Sequence, residues 1–268
     1  MPQALLVPRQ LVVQGAPNQL QLERAVVSLL EHHLAATGLD RVAIAGGVGL
    51  NCLMNRTIRG HEAVSDLFVP PVCSDAGLAL GAALLESRRQ GDVPSTYRHA
   101  FWGPEFSASE IREVLDRAGA GYREVEDPGV AAAELIERGA IVGWFQGRME
   151  YGPRALGCRS ILASPRRAEM KDEINSRIKF REEFRPLAPS IRHEQGSRFF
   201  VDYADSPYMT QCFAATEETA REAPAVVHAD GTSRLQSVHS DTNAAYDELI
   251  AEVGRRTDLP MVLNTSLN

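Results

Sequence analysis

Gly147-Arg-Met-Glu-Tyr-Gly-Pro-Arg-Ala-Leu-Gly-Cys-Arg159 places three arginines and three glycines between two apolar runs. Downstream, Lys179-Phe-Arg-Glu-Glu-Phe-Arg-Pro186 adds three more cations. Between Ile141 and Phe200 the chain holds 12 Lys and Arg against 7 Asp and Glu, a local +5 in a protein of net charge −7. A cationic centre in an acidic protein points to a compact anion, not to a nucleic acid. Arginine suits that chemistry because its planar fork meets phosphate or carboxylate oxygens two at a time. Any one of these arginines read alone is an ordinary solvated side chain; the cluster, shaped by Gly and Pro, reads as an anion-binding loop.

Three further stretches carry chemistry. Gly46-Gly-Val-Gly-Leu-Asn51 follows a strand pattern and opens a helix pattern. Glycines let backbone approach a ligand, and helix N-terminal amides favour phosphate. The stretch lacks the Lys-Ser/Thr of a P-loop and the spacing of a dinucleotide fingerprint, so a tight strand–helix turn is an equal reading. Asn51 either meets a ribose or base or caps the helix. In Pro70-Pro-Val-Cys-Ser-Asp-Ala-Gly77, Asp75 either complements the helix dipole or offers oxygens to a divalent cation; the residue alone favours the first. Arg234 and the segment Asn264-Thr-Ser-Leu-Asn268 complete the polar set, able to orient a small ligand or simply to form turns.

These residues need elements to position them. The 268 residues suffice for one large or two ordinary domains. No apolar run approaches the ~20 residues of a membrane span, and the N-terminus lacks a secretory pattern. Cys52, Cys73, Cys158 and Cys212 show no CxxC spacing. This fits the reducing cytoplasm and excludes a zinc-ribbon or disulfide framework. Leu20, Val26, Val27, Leu30 and Leu34 predict a helix over 19–37, followed by strands at 41–45 and 67–69 and helices at 50–58 and from Ser74 or Asp75 to about Arg88. Two strands are few for a stable open sheet. Beyond a linker near 93–106, helices are expected at 108–118, 128–138, 166–178 and 242–256. Strands are expected at 140–145, 187–192, 207–213, 224–228, 234–238 and 261–264. The first region reads as α/β and the second as α+β.

The stretches GGVGLNCLMN (46–55), VPPVCSDAGLALGAAL (69–84), GRMEYGPRALGCRSILA (147–163), INSRIKFREEFRPLAPS (174–190), SPYM (206–209) and LPMVLNTSLN (259–268), taken in order, resemble the O-carbamoyltransferases of nodulation and antibiotic tailoring. The resemblance implies part of an actin-like ATPase (Kae1-like) domain over 1–92 and, after the 93–106 linker, a YrdC-like domain over 107–268. It also implies a reaction. Carbamoyl phosphate yields carbamate, ATP activates it as carbamoyl adenylate, and a hydroxyl of a small acceptor takes the carbamoyl group. By the same resemblance Gly46, Gly47 and Asn51 contact ATP, and Asp75 is a metal ligand, with iron expected and magnesium the alternative. Arg154, Lys179 and Arg185 are then the catalytic cations of the carbamoyl phosphate site, and Arg234, Ser266 and Asn268 bind substrate.

Relatives of this type carry an N-terminal half with a histidine pair, and they continue past the position of Asn268. The chain is therefore expected to be a fragment, a truncated product or one part of a split enzyme whose partner chain supplies the missing half. A tRNA threonylcarbamoylation enzyme and a non-catalytic anion-binding remnant are the competing readings.

Overall fold

The computed structural model describes residues 9–93 and 98–267. The first region contains helix α1 (Arg9–Thr37), strand β1 (Arg41–Ala43), helix α2 (Cys52–Arg59), strand β2 (Asp66–Phe68) and helix α3 (Gly77–Arg89). Its sheet has two parallel strands, with Val42 opposite Leu67. Met54 and Ile58 on α2 pack with Leu67, Val69 and Cys73, against Leu22, Val26 and Leu30 on α1. The helical period expected for α1 is present, but its buried edge runs through Leu22; Leu20 is 46% exposed. No residue of α3 is buried, and Leu78 and Leu85 are 72% and 52% exposed.

Neither Ser74 nor Asp75 caps α3 with its side chain. The cap position is Ala76, and the carbonyls of Ser74 and Asp75 accept the Gly77 and Leu78 amides instead. Gly77 is required there: a Cβ would lie 2.1 Å from the Val72 carbonyl oxygen.

The second region runs α4 (Ala108–Arg117), α5 (Pro128–Glu137), β3 (Val142–Phe145), β4 (Arg159–Ala163), α6 (Glu169–Arg177), β5 (Ala188–Arg192), α7 (Gly196–Phe199), β6 (Phe200–Val201), β7 (Phe213–Ala215), α8 (Glu217–Glu222), β8 (Thr232–Ser233), β9 (Gln236–Val238), α9 (Ala244–Thr257) and β10 (Met261–Ser266). Ser107 caps α4 in a reciprocal capping box with Glu110, and Asp127 caps α5 ahead of Pro128. The strands expected over 207–213 and 224–228 are corrected. Pairing begins only at Phe213, and 224–226 forms a 3-10 turn behind Pro224, which has no amide to donate to a ladder.

Five strands form the main sheet in the order β3-β4-β10-β5-β9, antiparallel except for the β5–β9 pair. Alternation along β10 explains its two-sided burial. Met261 and Leu263 enter a core with Met170 and Ile174 of α6, Phe199, Phe200 and Phe213. Val262 faces the other core, where Ala133 and Ile136 of α5 meet Tyr246, Leu249 and Ile250 of α9. Each fully buried aliphatic side chain there contributes about 1.5–3 kcal/mol. A smaller antiparallel sheet, β6-β7-β8, stands beside it. The architecture is mixed α/β.

The regions are joined through buried polar contacts. Asn55 Nδ2 donates to the Gly49 and Thr210 carbonyls, both at 2.7 Å, and the Arg59 guanidinium lies 4.0 Å from the centre of the Phe213 ring. The stretch after the undescribed residues 94–97 packs closely. Ala100 is buried with Leu156, Tyr208 and Met209, and Gly103 N–H donates to the Met149 carbonyl at 2.9 Å.

Candidate functional site

The arginine loop is built around a buried acid. Glu150 Oε1 accepts the Leu156 and Cys158 amides at 2.6 and 2.7 Å, and Glu150 Oε2 lies 3.2 Å from Arg159 Nε. Those contacts turn the chain so that Arg154 projects between them. Gly157 makes the turn with φ near 103°, and a Cβ there would lie 2.2 Å from the Tyr246 ring. Gly152 also takes a positive φ, of 127°, and passes close to the Pro71 carbonyl.

Arg154 lines a cavity of about 380 Å³ with Arg181, Arg185, Arg234, Asn264 and Ser266. Among the described residues, four arginines and no acidic residue line it. The Nε atoms of Arg154 and Arg234 are both buried and, among the described residues, without a hydrogen-bond partner. Burial, and next the charge of Arg234, bring the Arg154 guanidinium down to about 10. Burial lowers Arg181 as well, followed by repulsion from Arg185 and Arg234. Like charges gathered in a partly desolvated pocket with unpaired donors are arranged for an anion. The volume fits a small ligand.

The floor is polar, with Asn264 Oδ1 buried and, among the described residues, without a hydrogen-bond partner. Asn264 Nδ2 donates to the Ala155 carbonyl at 3.1 Å and to Ser190 Oγ at 3.0 Å, and Gln236 Nε2 donates to the Leu156 carbonyl at 2.9 Å. Asn264 lies on β10 between Leu162 of β4 and Ala188 of β5, so the central strand fixes the back of the pocket.

The sequence-derived site residues are distributed as follows. Arg154, Arg185, Arg234 and Ser266 share the cavity. Lys179 does not line it, but its Nζ donates to the Ser266 carbonyl at 2.7 Å and to Ser266 Oγ at 3.0 Å. Burial, then Arg181, lowers the Lys179 ammonium pKa. Arg185 sits at the exposed rim, its Nε on Glu182 at 2.7 Å. Asn268 lies outside the described residues.

Gly46, Gly47, Asn51 and Asp75 belong to the first region and do not line this cavity. Gly46 has φ near 104°, and no heavy atom lies within 4 Å of a Cβ added at Gly46 or Gly47, so that backbone is open to a ligand. Asn51 is committed to structure: its Oδ1 accepts the Met54 amide at 3.1 Å and its Nδ2 donates to Gln19 at 2.8 Å. Asp75 is exposed. Among the described residues, the one group of three metal-capable side chains excludes it.

Sequence reasoning passed over Arg181, Glu150 and the cysteines. Arg181 was visible as one more cation in the second segment. Cys52 does not line the cavity; a hydrogen bond with Cys212 lowers its thiol against the opposing effect of burial, and the charges of Arg234 and Arg154 lower it further.

A carbamoyltransferase N-terminus model matches residues 15–84, and a carbamoyltransferase C-terminus model matches residues 133–268. The chain belongs to the carbamoyltransferase family. It is similar to nodulation protein NolO of Bradyrhizobium diazoefficiens, with 42% identity over 95% of this chain and 48% of the relative. Nodulation protein NolNO of Sinorhizobium fredii is 43% identical over 95% of this chain and 38% of its own length. Nodulation protein U of Rhizobium tropici is 34% identical over 93% and 42% respectively. The chain thus spans half or less of these curated relatives. Among the described residues no helix is long and apolar enough to cross a membrane.

Proposed function

We propose that the second region is a YrdC-like carbamoyl phosphate site and that the chain takes part in transferring the carbamoyl group to a hydroxyl of a small acceptor. The observation carrying this reading is the acid-free cavity with unpaired Nε donors on Arg154 and Arg234. Carbamoyl phosphate brings a dianionic phosphate to those donors. As water adds to the carbamoyl carbon and loses a proton to give carbamate, the C–O bond to phosphate breaks, its electron pair leaves with phosphate, and fixed guanidinium groups stabilise the growing charge. Arg154 and Arg234 hold the phosphate, Arg181 adds charge, and Arg185 closes the rim. Lys179 orients Ser266 through its two hydrogen bonds. The buried, polar back wall at Asn264 limits the access of bulk water to the short-lived carbamate from that side.

The open backbone at Gly46 and Gly47 supports a nucleotide-facing role for the first region, where ATP supplies the energy to activate carbamate as its adenylate. Asp75 offers one carboxylate, which alone does not hold a cation, so no step is assigned to a metal there. The uncovered faces of α3 and the two-stranded parallel sheet support completion of this region by further structure, in a partner chain or in the same polypeptide; parallel sheets are normally covered on both faces. The family's usual acceptors support secondary metabolism as the setting, and four free cysteines support the cytoplasm.

Calorimetry with fresh carbamoyl phosphate and with inorganic phosphate tests the reading. Both bind the wild-type chain, and each of Arg154→Ala and Arg234→Ala weakens binding by about 10- to 100-fold, as loss of a charge-assisted contact worth about 1.5–3 kcal/mol requires. Unchanged binding in Arg154→Ala overturns the site. Binding without phosphate release leaves a non-catalytic anion-binding module.

A further inference from the structure

A second cluster of chemically capable side chains lies outside the arginine cavity. His193 begins the 3-10 turn after β5, Asp205 follows β6, and His239 follows β9. Asp205 Oδ1 lies 2.8 Å from His239 Nε2 and 3.4 Å from His193 Nδ1. The two imidazoles stack with centroids 4.3 Å apart and an interplanar angle of 26°. One donor atom from each residue falls within 4.8 Å of the others.

We propose that His193, Asp205 and His239 form a binding site for a divalent metal of the zinc class. Two imidazoles and one carboxylate are a borderline-soft donor set that suits zinc, with nickel and cobalt as substitutes. Metal–ligand bonds of about 2.0–2.2 Å in a tetrahedron put donor atoms roughly 3.3 Å apart, the range the Asp205 contacts already occupy. Small rotations of exposed side chains suffice to close the set, since His193, Asp205 and His239 side chains are 42%, 48% and 27% exposed.

The surroundings also match. Tyr203 OH lies 3.0 Å from His193 Nδ1 and 2.7 Å from Ser237 Oγ, which in turn accepts the Ser206 amide at 2.9 Å. Tyr203 OH meets the same Nδ1 that faces Asp205, so a metal taken up there displaces that hydrogen bond, and Ser237 Oγ retains the Tyr203 hydroxyl and the Ser206 amide beside the site. Three protein ligands leave one coordination position for water or a ligand atom. Asp205 and His239 also line a separate cavity of about 310 Å³, walled by Arg98, Tyr208 and Thr242 and by the Asp66–Val69 stretch of the first region. It shares no lining residue with the arginine cavity. A metal here ties three chain segments together beside the seam between the regions. The proposal does not depend on carbamoyl phosphate binding next door.

Titration of the chelator-treated, full chain with zinc chloride by calorimetry, and with cobalt(II) by absorption spectroscopy, tests the site. One equivalent binds, and the cobalt spectrum shows ligand-field bands without an intense thiolate band. His239→Gln and Asp205→Ala each raise the zinc Kd at least about 10-fold with an unchanged circular-dichroism spectrum, while Cys52→Ser and Asp75→Ala leave it unchanged. A thiolate band, loss of binding in Cys52→Ser or Asp75→Ala, unchanged affinity in His239→Gln, or no stoichiometric binding overturns the proposal. If His239→Gln fails to fold, the His193→Asn and Asp205→Asn chains decide by the same comparison.

Discussion

Arg154 and Arg234 lie close enough to repel one another, and the Nε of each is buried and, among the described residues, without a hydrogen-bond partner. The folded chain therefore carries an electrostatic penalty where its ligand is to bind. A group whose cationic form is disfavoured costs stability at every pH at which it is charged in both states. For Arg154 that cost is full below about 10 and fades only as pH rises toward its ordinary value of 12.5. Arg154→Met is accordingly expected to raise Tm at neutral pH while abolishing phosphate binding. Thermal unfolding and calorimetry on the same sample check the two halves. A lower Tm contradicts the repulsion argument.

Glu150 holds the loop from inside. Removing it in Glu150→Ala strands the Leu156 and Cys158 amides and leaves Arg159 without its partner. The expected loss is about 3–5 kcal/mol, typical of breaking a buried pair from one side. Urea denaturation gives the magnitude, and a cost below about 1 kcal/mol shows that the loop finds other anchors. Carbamoyl phosphate affinity falls as well, because Arg154 is no longer presented.

Gly157 is constrained twice, by a φ that L-residues rarely adopt and by the Tyr246 ring. Gly157→Ala is expected to cost about 1–3 kcal/mol from overpacking alone, with backbone strain added. Shortening the ring in Tyr246→Leu relieves the collision but not the strain, so the double variant recovers only part of the loss in equilibrium unfolding.

Cys52 is expected to be the most reactive thiol. The Cys212 hydrogen bond and, after the opposing effect of burial, Arg234 and Arg154 lower it to about 7, whereas burial, and then Glu150, raises Cys158 to about 12. The stability contributed by the lowered thiol is present above the ordinary thiol range and is lost as pH falls through its folded-state value. Iodoacetamide is expected to label Cys52 before Cys158, with a rate that climbs through pH 7. Arg234→Ala shifts that rise to higher pH; peptide mapping by mass spectrometry reads the order of labelling.

The loop carrying Arg154 was legible because glycine, proline and arginine each restrict what a segment can do, and together they leave little besides anion binding. The α4 and α5 starts were legible for a similar reason: Ser107 with Glu110, and Asp127 ahead of Pro128, are local signals that need no tertiary partner. Ser74 and Asp75 offered the same signal and did not cap, because Gly77 pressed against the Val72 carbonyl leaves Ala76 in the cap position. Periodicity found α1 but not its buried edge, since Leu20 and Leu22 are distinguished only by what packs on them. Glu150 looked like one acid among cations; its role appears only when Leu156 and Cys158 turn back toward it. His193, Asp205 and His239 are separated by stretches of sequence that no spacing rule connects, and only the junction of β5, β6 and β9 brings them together.

The strand at the centre of the main sheet, β10, follows its four partner strands in chain order. On the ribosome, β4 and β5 must wait for residues 261–266 before either acquires the neighbour that lies between them. Until then their edges stay open to any nascent chain nearby. The anion pocket, whose back wall is Asn264, cannot exist in a partly translated polypeptide, so ligand binding reports that synthesis has reached this strand.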